Sequence, residues 1–439
     1  MTPAARLAAV IEIIDEIEDT QLAGYGLRKG LQRRRYAGSS DRHAITEMFW
    51  QVHRCWARLF WHLQACRVEV TARSIAIAAQ ILVDGQTPEA VIALFGGDGK
   101  HGSPALSDDE TALIEQMASR QLNDPAMPRD VALEWPSFLL EDTIAALGEA
   151  CDDELIALQG EAATDVRVNP VKLADRRVLR EKFAGRGIKC HLTSLSPLGI
   201  RLEKRTRTED LPEWKKGLFE YQDEGSQIAA LLCDARPGMQ VADMCAGAGG
   251  KALVMAAQMQ NKGRVLAIDS DAERLERGGE RMRRAGIHNI ERKHVGESWG
   301  TKRWRNKFDR VVIDAPCTGS GTWRRQVDAR WRCSVEDVER YTLLQSQLLE
   351  KGRAMVVPGG RIIYITCSVL ASEGALQIEK LLADAPELEL ADIEGVWQDT
   401  ITPLGGGACP TLEGGMLRLL PGRDGTDGFF MAVLQARLR

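Results

Sequence analysis

From about residue 222 onward, short aliphatic runs alternate with helical stretches, and this alternation restricts the fold more than any other feature of the chain. Candidate strands are Gln240–Met244, Arg264–Asp269, Arg310–Asp314, Arg361–Thr366 and Phe429–Gln435, with helices between them that include 272–285 and 343–355. Strands that read as continuous apolar runs are covered by helices on both faces, so an α/β fold with a mainly parallel sheet is predicted. Ligands of such sheets bind beyond the carboxyl ends of the strands. Asp243, Asp269, Asp314 and Cys367 all fall at those ends.

The remainder of the chain has a different pattern. Residues 1–150 predict an all-helical domain: Leu7, Val10, Ile11, Ile14 and Ile17 recur at helical spacing, as do the apolar residues of one aromatic-rich helix from Met48 to Leu63. Ser107-Asp-Asp-Glu110 is a capping box, and a glycine-rich loop lies near residue 97. Residues 155–220 predict a small α+β module of strand, helix and two strands, flanked by Arg176, Arg177, Arg180, Lys182, Arg186 and Lys189. Residues 221–439 form the third domain.

Composition excludes several classes. The 439 residues are 44% hydrophobic and 27% charged, as in an ordinary globular protein. No apolar run is long enough to span a bilayer, and the acid-rich start does not resemble a secretion signal. Ten scattered cysteines lack zinc spacing, so no metal is expected and a reducing cytoplasm is; Cys55, Cys66 and Cys233 read as small core residues. The net charge of −5 conceals an acidic stretch from Ser107 to Glu154 and a basic one from Lys302 to Arg332. Trp304, Trp323 and Trp331 interleave with the second, which predicts contact with nucleic acid.

The chemistry is concentrated in three loops. Asp243-Met-Cys-Ala-Gly-Ala-Gly-Gly-Lys251 joins a strand to a helix, and its Cys245, Ala246, Gly247, Ala248, Gly249, Gly250 and Lys251 outline a pocket for a nucleoside-containing cofactor. Asp269, at the end of the next strand, suits ribose hydroxyls. A dehydrogenase would share both features. Asp314-Ala-Pro-Cys317-Thr-Gly and Thr366-Cys367-Ser368 separate the two possibilities, because hydride transfer has no use for two loop thiols beside a carboxylate. Methylation at C5 of cytosine does: a thiolate added at C6 makes C5 nucleophilic, and an acid such as Asp314 can stabilise the charge at N3.

These motifs resemble those of the Sun-family RNA cytosine-5 methyltransferases over residues 160 to 437. The matching segments are Tyr221-Gln-Asp-Glu-Gly-Ser-Gln227, the glycine loop, Asp269, Asp314 to Gly321, Arg324-Arg325, Arg330-Trp331, Thr366-Cys367-Ser368 and Asp427-Gly-Phe-Phe430. The resemblance implies Cys367 as nucleophile, Cys317 as the thiol that assists product release, Lys251 near the cofactor and the target base, S-adenosylmethionine as cofactor, and no metal. It also implies a Rossmann-like catalytic domain preceded by an RRM-like RNA-binding module and a NusB-like helical domain. RNA is the expected partner, with small-subunit ribosomal RNA as first choice, and the protein is expected to be a cytoplasmic monomer. Two departures stand out. Ala248 replaces the family's loop proline, and Glu297 is the nearest candidate for the acid that holds the adenine amino group. Transfer RNA as substrate, and a non-catalytic RNA-binding assembly factor, are the alternatives.

Overall fold

The computed structural model describes residues 1–17, 22–96, 102–204, 206–296 and 299–438. Glu297 and most of the glycine-rich loop near residue 97 therefore lie outside the described residues. The chain forms two compact units: Met1–Glu141 with Leu155–Gly160 and Trp323–Cys333, and Asp142–Glu154 with Glu161–Thr322 and Ser334–Arg439. Among the described residues no helix is long and apolar enough to cross a membrane, and no cluster of His, Cys, Asp or Glu could hold a metal ion.

The first unit is built from helices around a core that includes Val10, Ile13, Ile45, Phe49, Leu59 and Ile77. Thr71 and Ser107 each begin a helix with a reciprocal capping box. The single helix expected from Met48 to Leu63 is instead two, Ser39–Arg54 and Trp56–Ala65. The break has a cause far along the chain. The buried carboxylate of Glu134 accepts the free backbone N–H groups of Ala57 and Arg58 at 2.9 and 3.0 Å, and the Arg58 guanidinium besides. A remote acid thus caps the second helix, a role that local sequence cannot reveal.

The basic, tryptophan-rich stretch is also corrected by the structure. Trp304 and Trp323 are core residues, and Trp323 packs on Trp135 with ring centroids 4.8 Å apart. Arg330 is 1% exposed and donates to the Glu134 carbonyl, while Arg324 is buried as well. Only Lys302, Arg303, Arg305, Lys307, Arg325 and Arg332 of the basic set face solvent. Trp304 and Trp323 are thus taken up by packing, while Trp331 is half-buried and these cations remain exposed.

The second unit holds two sheets. Strands β1 (Thr164–Val168), β2 (Cys190–Leu192), β3 (Gly199–Leu202) and β4 (Phe219–Tyr221) form an antiparallel sheet in the order β2-β3-β1-β4. The fourth strand, with only three residues, gives no periodic signal in the sequence. The larger sheet contains β5 (Gln240–Met244), β6 (Arg264–Asp269), β7 (Ile290–His294), β8 (Phe308–Asp314), β9 (Val356–Thr366), β10 (Leu388–Leu390), β11 (Leu412–Glu413), β12 (Met416–Leu419) and β13 (Phe429–Ala436). Strands β7, β6, β5, β8 and β9 run parallel in that order, and β13 and β12 continue the sheet antiparallel. The α/β expectation holds. Val241, Val265, Val312 and Ile363 face one core, whereas Ala242, Leu266, Ile313 and Tyr364 face the other. Strand order reverses between β5 and β8, which creates the crevice where such sheets receive ligands.

Buried polar contacts attach the small sheet to the large one. Arg167 of β1 donates to Gln222 and to the carbonyl of Gly250, at the start of the helix that follows β5. Arg201 forms two hydrogen bonds with fully buried Asp165, at 2.7 and 2.8 Å, and reaches the equally buried Glu224. Arg201→Met would leave both carboxylates without their shared cation. Such a change costs about 3–5 kcal/mol when one partner of a buried pair is removed. Denaturant unfolding should show that loss, whereas an exposed substitution such as Val178→Ala should cost about 0.5 kcal/mol or less.

Candidate active site

The site begins where β5 ends. Cys245 turns the chain with a φ of +63°, and Gly247 and Gly249 follow at +55° and +76°. A side chain at Gly247 would press against Arg274, its Cβ falling 2.7 Å from the guanidinium. The N–H of Gly247 donates to the Asp269 carboxylate at 2.6 Å, which also accepts the Asp271 N–H at 2.8 Å. Asp269 thus ties the glycine turn to the end of β6. Ala248, in place of a proline, keeps the turn through its carbonyl, which accepts from Arg281. Burial raises the Cys245 thiol far above its ordinary range and keeps it protonated.

The helix Gly250–Gln258 presents Lys251, buried but for 9% of its surface. Its ammonium lies 2.6 Å from the Asp314 carboxylate at the end of β8. Burial alone would lower its pKa, yet the charge and hydrogen bond of Asp314 raise it above the ordinary lysine value. The ammonium also lies over the Phe429 ring at 5.8 Å. The structure therefore brings Lys251 and Asp314 together.

Cys317 and Cys367 stand on loops after adjacent strands β8 and β9, with their sulfurs 3.5 Å apart. The hydrogen bond to Cys367, then burial, raise the Cys317 pKa well above that of a free thiol. The two loops are tied together by other contacts. Gly321 N–H donates to the Cys367 carbonyl at 3.0 Å, and the hydroxyls of Ser320 and Ser368 meet at 3.0 Å. Gly428 N–H donates to Gly321 carbonyl at 2.8 Å; a Cβ on Gly321 would fall 2.2 Å from the Gly428 carbonyl oxygen. Both glycines are needed for this approach, which links the Asp427-Gly-Phe-Phe430 segment to the Pro-Cys loop.

Two residues were not singled out by sequence motifs, and a third, Asp243, was placed only at a strand end. Glu373 is fully buried and accepts the Thr318 N–H at 2.9 Å and the Thr318 hydroxyl at 2.6 Å. Gln345, on the helix Val335–Met355, donates to the Pro316 carbonyl and to Glu373. Asp243 is 1% exposed, and of its neighbours the Ala252 backbone N–H favours the charged carboxylate. An acid four residues before a glycine is an ambiguous signal, and Glu373 and Gln345 give no signal without the fold.

The residues present are compatible with an S-adenosyl cofactor: the positive-φ glycines keep side chains out of the turn, and Asp269 is tied to it through the Gly247 N–H.

Burial, then the charge of Asp314, pushes the Asp243 pKa up to about 8. From about pH 4, the range of a free aspartate, to about 8 the native chain retains a proton that the unfolded chain has released. Stability therefore falls as pH rises through that window. Asp243→Asn removes this titration, so its denaturant-unfolding stability should vary less between those pH values than that of the unsubstituted protein. An equal slope in both would refute the assignment.

Known proteins resemble this chain in sequence and in fold. A family model described as 16S rRNA methyltransferase RsmB/F matches residues 230–435. Ribosomal RNA small subunit methyltransferase B of Xylella fastidiosa is 32% identical over 76% of this chain and 75% of its own. The Xanthomonas campestris protein of the same name is 30% identical over 71% and 68%. The crystal structure of PH0851 matches 99% of both chains with a TM-score of 0.75 and 23% identity, a likeness of fold. A methyltransferase homolog from Pyrococcus horikoshii, at 26% identity, matches 71% of this chain and 99% of its own with a TM-score of 0.59. With its glycine turn, its Lys251–Asp314 pair and its facing thiols on a fold shared with these proteins, the chain belongs to the ribosomal RNA small subunit methyltransferase B family.

Proposed function

We propose that the protein methylates C5 of a cytosine in small-subunit ribosomal RNA through a transient bond between Cys367 Sγ and C6 of the base. The observation that carries this is the 3.5 Å separation of two sulfurs beside the Lys251–Asp314 pair. A methyltransferase acting on oxygen or on an exocyclic nitrogen has no use for that arrangement.

S-adenosylmethionine, the methyl donor of this family, supplies an electrophilic methyl on a sulfonium when bound. Gly247, Gly249 and Asp269 would hold its nucleoside. The residues of the chain do the rest. The target base leaves its stack and enters the crevice, so an unpaired cytosine is expected. Cys367 adds to C6, and the displaced electron pair makes C5 nucleophilic. The Lys251 ammonium, held by Asp314, would face N3 with it and stabilise the charge that develops there. Release then removes the C5 proton: its bonding pair closes C5=C6, and the C6–Sγ pair returns to Cys367. Cys317 is the sulfur beside this step. As a thiolate, Cys317 would accept that proton.

Two substitutions separate the roles. Cys367→Ala should abolish methyl transfer while cofactor binding changes little. Cys317→Ala should permit attack and trap an RNA–protein adduct, seen as a retarded band on a denaturing gel. The reverse pattern would exchange the two assignments. Bisulfite sequencing of ribosomal and transfer RNA from a deletion strain should show one cytosine losing its methyl group in the small-subunit RNA; loss in transfer RNA instead would change the substrate.

A further inference from the structure

Glu373 occupies the far end of the loop that starts with Cys367, yet its side chain reaches the neighbour of the other cysteine. Its carboxylate accepts both the N–H and the hydroxyl of Thr318, and its Oε1 also accepts from Gln345 at 3.2 Å. Gln345 in turn donates to the Pro316 carbonyl at 2.9 Å, so the residues on either side of Cys317 are held by one buried cluster. The other side of that cluster is anchored to the strand that carries Cys367. The Glu373 carbonyl accepts the Tyr364 hydroxyl at 2.9 Å and the Thr366 hydroxyl at 3.3 Å, and both donors belong to β9. Helix 335–355 and the Pro-Cys turn therefore meet at the fully buried Glu373 side chain, while the backbone carbonyl of the same residue joins it to the Thr-Cys strand.

We propose that Glu373 is a positioning residue for the release step: by fixing Pro316 and Thr318 against β9, it sets the Cys317 sulfur where it meets the Cys367–base adduct. The proposal rests on the covalent chemistry inferred above and assigns Glu373 no contact with substrate. Attack by Cys367 does not need the Cys317 turn in register. Release does, because the C5 proton must reach one sulfur as the electron pair of the C6–Sγ bond returns to the other. Loss of the clamp should therefore damage the second half of the reaction selectively.

Glutamine at 373 separates geometry from charge. It keeps an acceptor for the Thr318 N–H, and its amide can donate to a Thr318 hydroxyl that turns to accept. Alanine keeps neither contact. The full-length protein, a small-subunit ribosomal RNA transcript and labelled S-adenosylmethionine suffice for the test. Glu373→Ala should accumulate adduct on a denaturing gel as Cys317→Ala does, with multiple turnover reduced by about 100-fold and the first methyl transfer much less affected. Glu373→Gln should restore turnover to within about 5-fold of the unsubstituted enzyme, because the geometry survives.

Thr318→Val removes only the hydroxyl contact and avoids a cavity in the core. It should show a smaller accumulation in the same direction, so an unfolded Glu373→Ala does not end the test. Three results would overturn the proposal. In the first, Glu373→Ala stays folded but loses attack and release in equal measure, which marks a merely structural residue. In the second, Glu373→Gln is as impaired as Glu373→Ala, which assigns the function to the charge. In the third, Thr318→Val releases product as fast as the unsubstituted enzyme. Absence of adduct in Cys317→Ala itself would defeat the covalent mechanism along with it, whereas adduct there but none in Glu373→Ala would defeat the positioning role alone.

Discussion

Two sulfurs 3.5 Å apart on loops leaving different strands cannot be held by those loops alone, and much of the second unit's detail follows from that requirement. Neighbouring parallel strands place the loop origins side by side. What remains is to stop the loops from splaying. The structure does so with backbone and hydroxyl contacts: Gly321 to Cys367, Ser320 to Ser368, Gly428 to Gly321. Each is short-ranged and directional, so a small displacement of one loop breaks several at once. The tolerance of the pair is correspondingly narrow.

Electrostatics at the crevice oppose this order and are contained. Asp243, Asp314 and Asp269 converge around one buried lysine, more negative charge than a desolvated pocket accepts without compensation. The structure answers in three ways. Asp314 takes the lysine directly, Asp269 is satisfied by two backbone N–H groups, and Asp243 takes a proton at higher pH than a free aspartate would. A cationic methyl donor entering such a crevice finds a field that favours it.

The sequence exposes these features unevenly. The parallel strands were legible because both faces are buried, and their apolar runs carry through to the residues Asp269 and Asp314 that end them. Cys317, Cys367 and Lys251 were legible because each follows a strand in a motif with its own chemistry. Glu373 was not, since its partners Thr318 and Gln345 are 55 and 28 residues away along the chain. The same holds for Glu134, which divides a predicted helix by capping it across 77 residues. Tryptophan among arginines misled for a related reason: Trp323 and Trp135 pack together, while Arg330 seeks a carbonyl, and composition alone does not distinguish a buried arginine from one aimed at RNA.

The segment Trp323–Cys333 leaves the sheet-bearing unit directly after the Pro-Cys loop and completes the helical one before the chain returns. The helical unit is thus not an appendage that could be trimmed away. Removing residues 1–141 would strip Trp323 and Arg330 of their cover and leave an apolar, charged flap hanging between the two cysteines in the chain. Modularity of the kind that lets a catalytic core be excised as a minimal enzyme is forfeited by eleven residues of threading.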